Sequence, residues 1–297
     1  MDITYLKSLY VTAKCKSISI AAKKLHLSQP GLSFQLQSLE SSLGKTLLQR
    51  SNKGVKLTPE GEIVFNYAKS IISLEENMKK ELLELEESEK QLTIGACSSL
   101  ADYALPCSAY TFKKIYDNID INILSSTSCD VLNKLRDYEI NIGIIQSLEN
   151  IDDMVELPII KSNVILVCSY NLSTSSISLE DLMNLPIITR ESNSTINRFI
   201  AKGLKDYGQD FNKLNVQFAL NSDEAIKRTL IHGNSYAFLP ELVIKHELHD
   251  KYLKKVFIKE FSLECNYTLV YRSDYKLKRH EKSFIDFITS SNRCFCY

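Results

Sequence analysis

Apolar side chains recur every three or four residues through the first forty positions, which predicts short amphipathic helices. The stripe of the first helix consists of Ile3, Leu6, Tyr10 and Ala13. A second helix follows with Ser19 as its N-terminal cap, and a third runs from its cap Ser28 to Gly44. The buried stripe of the third helix consists of Leu32, Leu36, Leu39 and Leu43. This pattern predicts a helix-turn-helix from Ile18 to Gln37.

The face of the third helix opposite the leucine stripe is polar apart from one aromatic side chain. Glutamine can bond adenine through two hydrogen bonds, serine can bond several bases, and an apolar side chain can contact a thymine methyl group. The candidate contacts to base edges are Ser28, Gln29, Pro30, Ser33, Phe34 and Gln37. The alternative is a three-helix cap whose leucines only fill a core and whose polar face is only solvated.

Two short segments of alternating polarity follow the third helix. Thr46–Arg50 and Gly54–Leu57 predict two strands joined by a turn, which together form a β-wing. Arg50 and Lys53 lie where they can contact phosphates. The wing therefore adds two candidate backbone contacts to the helix-turn-helix.

Net charge is zero for the 297 residues, but it is unevenly distributed. Residues 1–57 carry a net charge of +7, residues 58–90 a net charge of −5, and the remainder −2. A small basic segment on a near-neutral body is typical of a nucleic-acid-binding module, and its binding should weaken steeply with salt. Double-stranded DNA is the predicted partner.

A long helical pattern without glycine or proline after Gly61 continues to about Lys90, with Thr58 as its cap. Its apolar seam consists of Val64, Tyr67, Ile71, Leu74, Met78, Leu82 and Leu85. A helix of this length needs a partner to bury such a seam, so we expect dimerisation. The alternative is that the helix packs onto the chain's own body.

From residue 91 onward, apolar runs alternate with amphipathic helices, which predicts α/β layers around a mainly parallel sheet. We expect strands at 92–96, 119–124, 142–145, 163–168, 186–189, 215–220, 236–239 and 265–271. We expect helices near 100–116, 129–138, 195–207, 223–232 and 279–290. The second set of strands is expected to begin after Pro158, with the strand at 163–168.

Hydroxyl-rich stretches fall where three strand-to-helix turns are predicted. Because ligands of two-lobed α/β domains bind at the carboxyl ends of strands, these turns predict a site for a small anionic effector. The candidate residues are Ser98, Ser99, Thr127, Ser128, Gln146, Ser194 and Thr195. Arg190 can supply charge, and His232 is a further candidate. Ordinary helix capping is the alternative for each stretch.

No catalytic, metal or cofactor motif accompanies these stretches, so we expect no enzyme activity, no metal and no cofactor. The eight cysteines fit no zinc spacing, and a large cytosolic chain needs no disulfide scaffold. Cys294 and Cys296 are expected to be inert tail thiols, the alternative being that this C-x-C pair binds metal or oxidises. Cys97 is expected to be an inert thiol rather than a redox sensor. Charged residues interrupt the apolar residues of the N-terminal segment, so we expect neither a signal peptide nor a membrane span there. The predicted location is therefore the cytoplasm.

The first sixty residues resemble the head of LysR-type transcriptional regulators. The resemblance rests on the run from Ile20 to Glu40, then Leu43-Gly44, Leu47–Arg50 and Leu57–Gly61. Many members of that family carry a basic residue where Phe34 stands, so an apolar contact, or a preference specific to one branch of the family, replaces the polar contact there.

The resemblance implies a winged helix-turn-helix, antiparallel linker helices in a dimer or tetramer, and a type-2 periplasmic-binding-protein-like effector domain. RNA polymerase is an implied further partner. The expected domains are 1–58 for DNA binding, 59–90 for the linker and 91–297 for the effector. Lobe I then comprises 91–161 and 267–297, and lobe II 162–266.

Two other classes of function stay open at this point. One is a cytosolic small-molecule binding protein or enzyme whose basic head serves only oligomerisation. The other is a DNA-binding regulator with no effector. Sharp salt dependence of DNA binding and a screen of anions distinguish the three.

Overall fold

A computed structural model describes residues 2–51, 54–84, 90–147, 151–192, 194–291 and 293–296. The chain divides into two compact units. The head unit comprises Met1–Ser88 with Arg136–Glu139, and the body unit comprises Glu89–Leu135 and Ile140–Tyr297. The linker helix therefore groups with the predicted DNA-binding segment.

The head unit is a three-helix cluster followed by a β-hairpin and a long helix. Its elements are α1 (Ile3–Cys15), α2 (Ile18–Lys24), α3 (Gln29–Leu43), β1 (Leu48–Ser51), β2 (Gly54–Leu57) and α4 (Pro59–Glu84). The two strands pair antiparallel, with Leu48 opposite Leu57. This is the winged helix-turn-helix that the sequence predicts.

Local capping chemistry explains where the head helices begin and end. Ser28 Oγ accepts a hydrogen bond from the Gly31 amide at 3.1 Å, and Gly44 ends α3 in the left-handed conformation with φ 63°. The cap of α2 is Ser17 and not Ser19, because α2 begins at Ile18 and Ser17 Oγ accepts from the Ile20 amide.

The apolar stripe of α3 is buried only over its first three leucines. Leu32, Leu36 and Leu39 are at most 1% exposed, whereas Leu43 is 39% exposed. The expectation that Leu43 is buried was wrong, because α3 projects past the head core in its last turn.

Thr58 fixes the start of α4 against the wing. Its Oγ1 accepts a hydrogen bond from the Gly61 amide at 2.9 Å and donates one to the Thr46 carbonyl oxygen at 2.7 Å. A Cβ atom at Gly61 would lie 2.0 Å from the Leu47 carbonyl oxygen, so glycine permits this close approach. The expectation that α4 continues to Lys90 was wrong, since Lys90 begins the first strand of the body unit.

The body unit contains one mixed sheet with helices on it. Its strands are β3 (Lys90–Cys97), β4 (Ile119–Ser126), β5 (Ile142–Ser147), β6 (Met154–Ser169), β7 (Ser176–Ile177), β8 (Ile187–Arg190), β9 (Val216–Leu220), β10 (Tyr236–Pro240), β11 (Leu253–Ile258) and β12 (Leu263–Arg272). The main path is β4-β3-β5-β12-β6-β10-β8-β9, and β11 pairs with β6 and β7. Strands β6 and β12 run antiparallel to each other, so the sheet is mixed rather than mainly parallel.

The helices of the body unit follow the predicted order. They are α5 (Ser98–Tyr103), α6 (Leu105–Ile115), α7 (Ser128–Arg136), α8 (Leu179–Leu182), α9 (Thr195–Asp206), α10 (Asp223–His232), α11 (Lys245–His249) and α12 (Arg279–Thr289). The single helix expected near 100–116 is two helices, which meet at Ala104 with φ −120°. None of the described helices combines the length and apolar character that crossing a bilayer requires.

Strand β6 passes through Pro158 without ending, contrary to the expectation that a new set of strands begins after it. Pro158 pairs with Thr268 beside a register shift. Because Tyr267 pairs with Ile160, Ile159 of β6 is left without a partner residue in β12. An irregularity in the ladder accommodates a residue that has no amide hydrogen. The predicted lobe crossings, at 161/162 and 266/267, fall within these two long strands.

A disulfide joins Cys107 of α6 to Cys296 near the C-terminus, with 5.3 Å between their Cα atoms. Next to the disulfide, Ser108 Oγ donates a hydrogen bond to the Cys294 carbonyl oxygen. Phe295, between the two tail cysteines, is buried. The expectation of an inert tail thiol was therefore wrong for Cys296, because the tail packs against α6.

Candidate functional site

The exposed face of α3 carries the predicted base contacts. Phe34 is 65% exposed, while Leu32 and Leu36 behind it are buried. Gln29, Pro30 and Gln37 are also exposed, and Ser33 is partly buried. The structure therefore brings the predicted residues together on one side of a single helix.

The remaining predicted DNA contacts are the cap of α3 and the two basic residues of the wing. Ser28 is exposed, and while its hydroxyl oxygen caps α3, the hydroxyl hydrogen and the second lone pair remain available to a base. Arg50 is exposed in β1. Lys53 lies outside the described residues.

All seven predicted effector residues line one cavity of about 30 Å³ in the body unit. Cys97, Ser126, Arg190 and Ile196 complete its lining. The residues come from the ends of β3, β4, β5 and β8 and from the helices that follow three of these strands. Ser98, Ser99, Thr127, Ser128, Gln146, Ser194 and Thr195, which are far apart in sequence, thus meet in space. His232 is exposed at the end of α10 and does not line this cavity.

Arg190 is the cation of the cavity. Its guanidinium group forms an ion pair with Asp223 and donates a hydrogen bond to the Asn221 carbonyl oxygen at 3.0 Å. Only 9% of the residue is exposed, and its Nε has no hydrogen-bond partner. A buried N–H donor without a partner favours a ligand that can accept its hydrogen.

Asp223 connects the two sides of the cavity. It accepts a hydrogen bond from Ser99 Oγ at 3.2 Å while it pairs with Arg190. Beside this pair, Lys227 Nζ lies 4.6 Å from the centre of the Tyr103 ring. Burial raises the pKa of the Tyr103 hydroxyl to about 12, so the ring stays neutral over the physiological range.

Several of the hydroxyls also have the structural role that was the alternative to ligand binding. Ser194 Oγ accepts from the Asn197 amide at 3.3 Å, and Thr127 Oγ1 accepts from the Asp130 amide at 3.1 Å. These two are helix caps. The Ser194 hydroxyl can still donate its own hydrogen to a ligand oxygen, whereas the Thr127 hydroxyl donates its hydrogen to Asp130 Oδ2 at 2.8 Å.

Gln146 is held in place from both ends. Its amide donates to Ser128 Oγ at 3.0 Å, and its side-chain Nε2 donates to the Tyr267 hydroxyl at 2.9 Å. Burial raises the pKa of the Tyr267 hydroxyl well above its ordinary value. A neutral phenol fixes the amide's orientation toward the cavity.

Sequence reasoning missed Asp223, Tyr267 and Asn197. Asn197 Nδ2 donates to the carbonyl oxygens of Arg190 and Glu191 at 2.7 and 3.1 Å, which holds the turn before α9. Asp223 follows Ser222 at the start of a predicted helix, where an acidic residue is ordinary. Only the juxtaposition of distant strands shows that it faces Arg190.

Cys97 is buried, and burial raises the pKa of its thiol to about 12. A thiol with so high a pKa is almost entirely protonated at neutral pH, and the thiolate is the reactive form. Among the described residues no three His, Cys, Asp or Glu side chains are grouped closely enough to hold a metal ion.

Comparison with known families assigns both units. Residues 3–62 match the bacterial regulatory helix-turn-helix protein, lysR family, and residues 85–293 match the LysR substrate binding domain. The chain belongs to the LysR family of transcriptional regulators. It is a DNA-binding regulator with an effector-binding domain, and its LysR relatives are regulators rather than enzymes.

Two curated LysR relatives span nearly the whole chain. A probable RuBisCO transcriptional regulator from Phaeodactylum tricornutum is 30% identical over 93% of this chain and 92% of its own length. The regulator CysL from Bacillus subtilis is 24% identical over 96% of each chain.

Solved structures of LysR regulators share the fold. Full-length CbnR complexed with target DNA matches with TM-score 0.72 and 18% identity over 97% of this chain and 99% of its own. The regulatory domain of Synechocystis CcmR in complex with 2-PG matches with TM-score 0.62 and 17% identity over 68% of this chain and 96% of its own.

Proposed function

We propose that α3 lies in the major groove of an operator and reads base edges with its exposed face. The observation that carries this is the division of α3 into a buried leucine stripe and an opposite face where Phe34 is 65% exposed between Gln29 and Gln37. A duplex would cover this apolar ring, and the thymine methyl group is the apolar feature of the major groove. Arg50 and Lys53 of the wing would contact phosphates.

The proposed assembly is a homodimer that buries the outer face of α4, with further association to a tetramer. This outer face consists of Ile63, Tyr67, Leu74, Met78 and Leu82, which are 45–69% exposed. They fall within about 100° of arc on an ideal helix, so one partner helix can cover them together. The twofold symmetry of such a dimer matches a partly palindromic operator. The proposed location is the cytoplasm, and RNA polymerase is a proposed further partner.

The proposed effector is a small anion in the cavity around Arg190. Its acceptor oxygens would take the free Nε hydrogen and the hydroxyl hydrogens of Ser98 and Ser194. The cavity of about 30 Å³ accommodates about two water molecules. An effector larger than this requires the two sides of the cavity to separate.

The hydrogen bond from Ser99 to Asp223 links the two sides of the cavity, and their separation would break it. An anion that binds Arg190 competes with Asp223 for the same guanidinium, so the contact between the two sides depends on occupancy. The effector changes DNA binding only if it binds one arrangement more tightly than the other.

We expect binding to a duplex enriched from a random pool to weaken about a thousandfold between 50 and 200 mM salt, as for about six phosphate contacts. Arg50→Gln should lower the slope of log affinity against log salt by about 1 for each head that binds. Arg279→Gln, an exposed arginine of the body unit, is the control and should leave the slope unchanged. Fluorescence anisotropy across salt concentrations measures both slopes, and equal slopes for the wild type and Arg50→Gln would remove the wing from the interface.

Arg190→Lys tests the effector site with little change of charge. Lysine keeps the positive charge beside Asp223 but lacks the Nε donor and the planar fork. We expect the affinity for inorganic sulfate to fall about tenfold or more, as for the loss of one charge-assisted hydrogen bond. Isothermal titration measures this, with Arg279→Lys at an exposed position of α12, outside the cavity, as the control. If sulfate, phosphate, nitrate and acetate all fail to bind the wild type, the small-anion assignment is wrong and a regulator without such an effector is favoured.

A further inference from the structure

A second, larger cavity lies in the body unit where β6 exchanges one partner strand for another. Val164 pairs with Leu263 of β12, and Leu166 pairs with Val256 of β11. Beyond Val256, β11 turns away and pairs with β7, so the two partner strands diverge beside Ile165. The gap between them is a cavity of about 240 Å³, which shares no lining residue with the cavity around Arg190.

The floor of this second cavity is apolar and its rim is mixed. Ile165, Phe238 and Phe261 form part of the floor, and the first two are at most 5% exposed. Lys255 and Phe257 stand at the rim, where Phe257 is 62% exposed. An apolar floor with a few polar groups at the rim is typical of small-molecule sites.

Packing around the floor keeps the cavity open. The Phe261 ring is held between the rings of Tyr207 and Phe238, at centroid distances of 5.3 and 6.4 Å. Leu263 occupies the space that a side chain at position 203 would need, since a Cβ atom at Gly203 would lie 2.0 Å from Leu263 Cδ2. Because these neighbours fix the side chains, the cavity exists without a ligand.

Lys255 gives the cavity its charge preference. Its ammonium group lies 5.3 Å from the centre of the Phe257 ring, and no described carboxylate forms an ion pair with it. Asn163, which also lines the cavity, donates a hydrogen bond from Nδ2 to Glu241 at 3.3 Å. A cation above an apolar floor favours a ligand with an anionic end and an apolar body.

The volume sets the size of that ligand. A cavity of about 150 Å³ holds benzene, so one of about 240 Å³ has room for an aromatic ring and a short acidic side arm, about ten heavy atoms in all. We propose that this cavity is a second binding site of the regulator, for a small monocarboxylate with an apolar body. The carboxylate contacts Lys255 and the apolar body lies against Ile165, Phe238 and Phe261.

A charge series of similar shape tests the proposal on the full-length protein. Phenylacetate, 2-phenylethanol and phenethylamine share the ring and differ in charge. We expect phenylacetate to bind with a Kd of about 1 mM, the alcohol about fivefold more weakly, and the amine more weakly still. Isothermal titration or saturation-transfer NMR measures the three affinities. Absence of saturable phenylacetate binding, or equal affinities for the acid and the amine, would overturn the proposal.

Two pairs of variants locate the ligand. Lys255→Gln should lower the affinity for phenylacetate to that for 2-phenylethanol and leave the affinity for 2-phenylethanol unchanged. Lys259 is an exposed neighbour outside the cavity, so Lys259→Gln should change neither affinity. Phe257→Ser should weaken both ligands, and Tyr252→Ser, an exposed aromatic side chain elsewhere, neither. All four substituted side chains are partly or fully solvent-exposed, so the variants should fold. If phenylacetate binding survives both Lys255→Gln and Phe257→Ser unchanged, the ligand binds elsewhere and the assignment fails.

Discussion

Reduction of the Cys107–Cys296 disulfide is expected to lower the free energy of unfolding of the body unit by about 2–4 kcal/mol. The bond closes a loop across a sequence separation of 189 residues, so the oxidised unfolded chain loses much conformational freedom. Urea unfolding followed by circular dichroism, with and without a reductant, measures the difference as a shift of the midpoint.

Two variants assign that effect to the bond. Cys107→Ser without reductant should match the reduced wild type, and reductant should not destabilise it further. Cys294→Ser removes an exposed free thiol beside the bridge and should behave as the wild type. Equal midpoints for the oxidised wild type and Cys107→Ser would show that the tail stays in place without the bond.

Glutamate at both Tyr67 and Met78 of α4 is expected to raise the dimer dissociation constant about a thousandfold. Both protomers carry the substitutions, so four side chains change; at about 1 kcal/mol of partly buried apolar surface each, the loss is about 4 kcal/mol before any cost of burying the new carboxylates. Sedimentation velocity over a range of concentrations measures the constant.

Asn66→Glu is the matched control for this prediction, because it adds one carboxylate on an exposed part of α4 outside the apolar face. It should leave the dimer constant within a few-fold of the wild type. If the double variant stays dimeric at concentrations where the wild type is dimeric, α4 packs elsewhere and the proposed interface is wrong.

The head could be predicted closely from the sequence because its signals are local. A capping serine, a proline in the first turn and a glycine at the end fix α3, and all three act within a few residues. The choice between Ser17 and Ser19 as the cap of α2 could not be made locally. Ile18 packs against the head core, and that tertiary contact favours the earlier start.

The body unit was harder to predict where distant segments meet. Pro158 is a strand breaker in local terms, but the register shift between β6 and β12 beside it lets β6 continue. The disulfide joins cysteines that no spacing rule connects. The candidate effector residues were found because hydroxyls follow each strand, whereas Asp223 acquires its place only through the pairing of β8 with β9, which brings the start of α10 to Arg190.

The most direct test of the account is the operator preference of a variant in which Ser33 and Phe34 are both alanine. Selection from random duplexes should enrich one sequence with the wild type, and the double variant should lose discrimination at the thymine positions while it keeps non-specific, salt-dependent binding. A wild-type operator with deoxyuridine in place of thymidine should bind the wild type more weakly and the double variant equally well. Identical enriched sequences for both proteins would contradict the claim that α3 reads the duplex with this face.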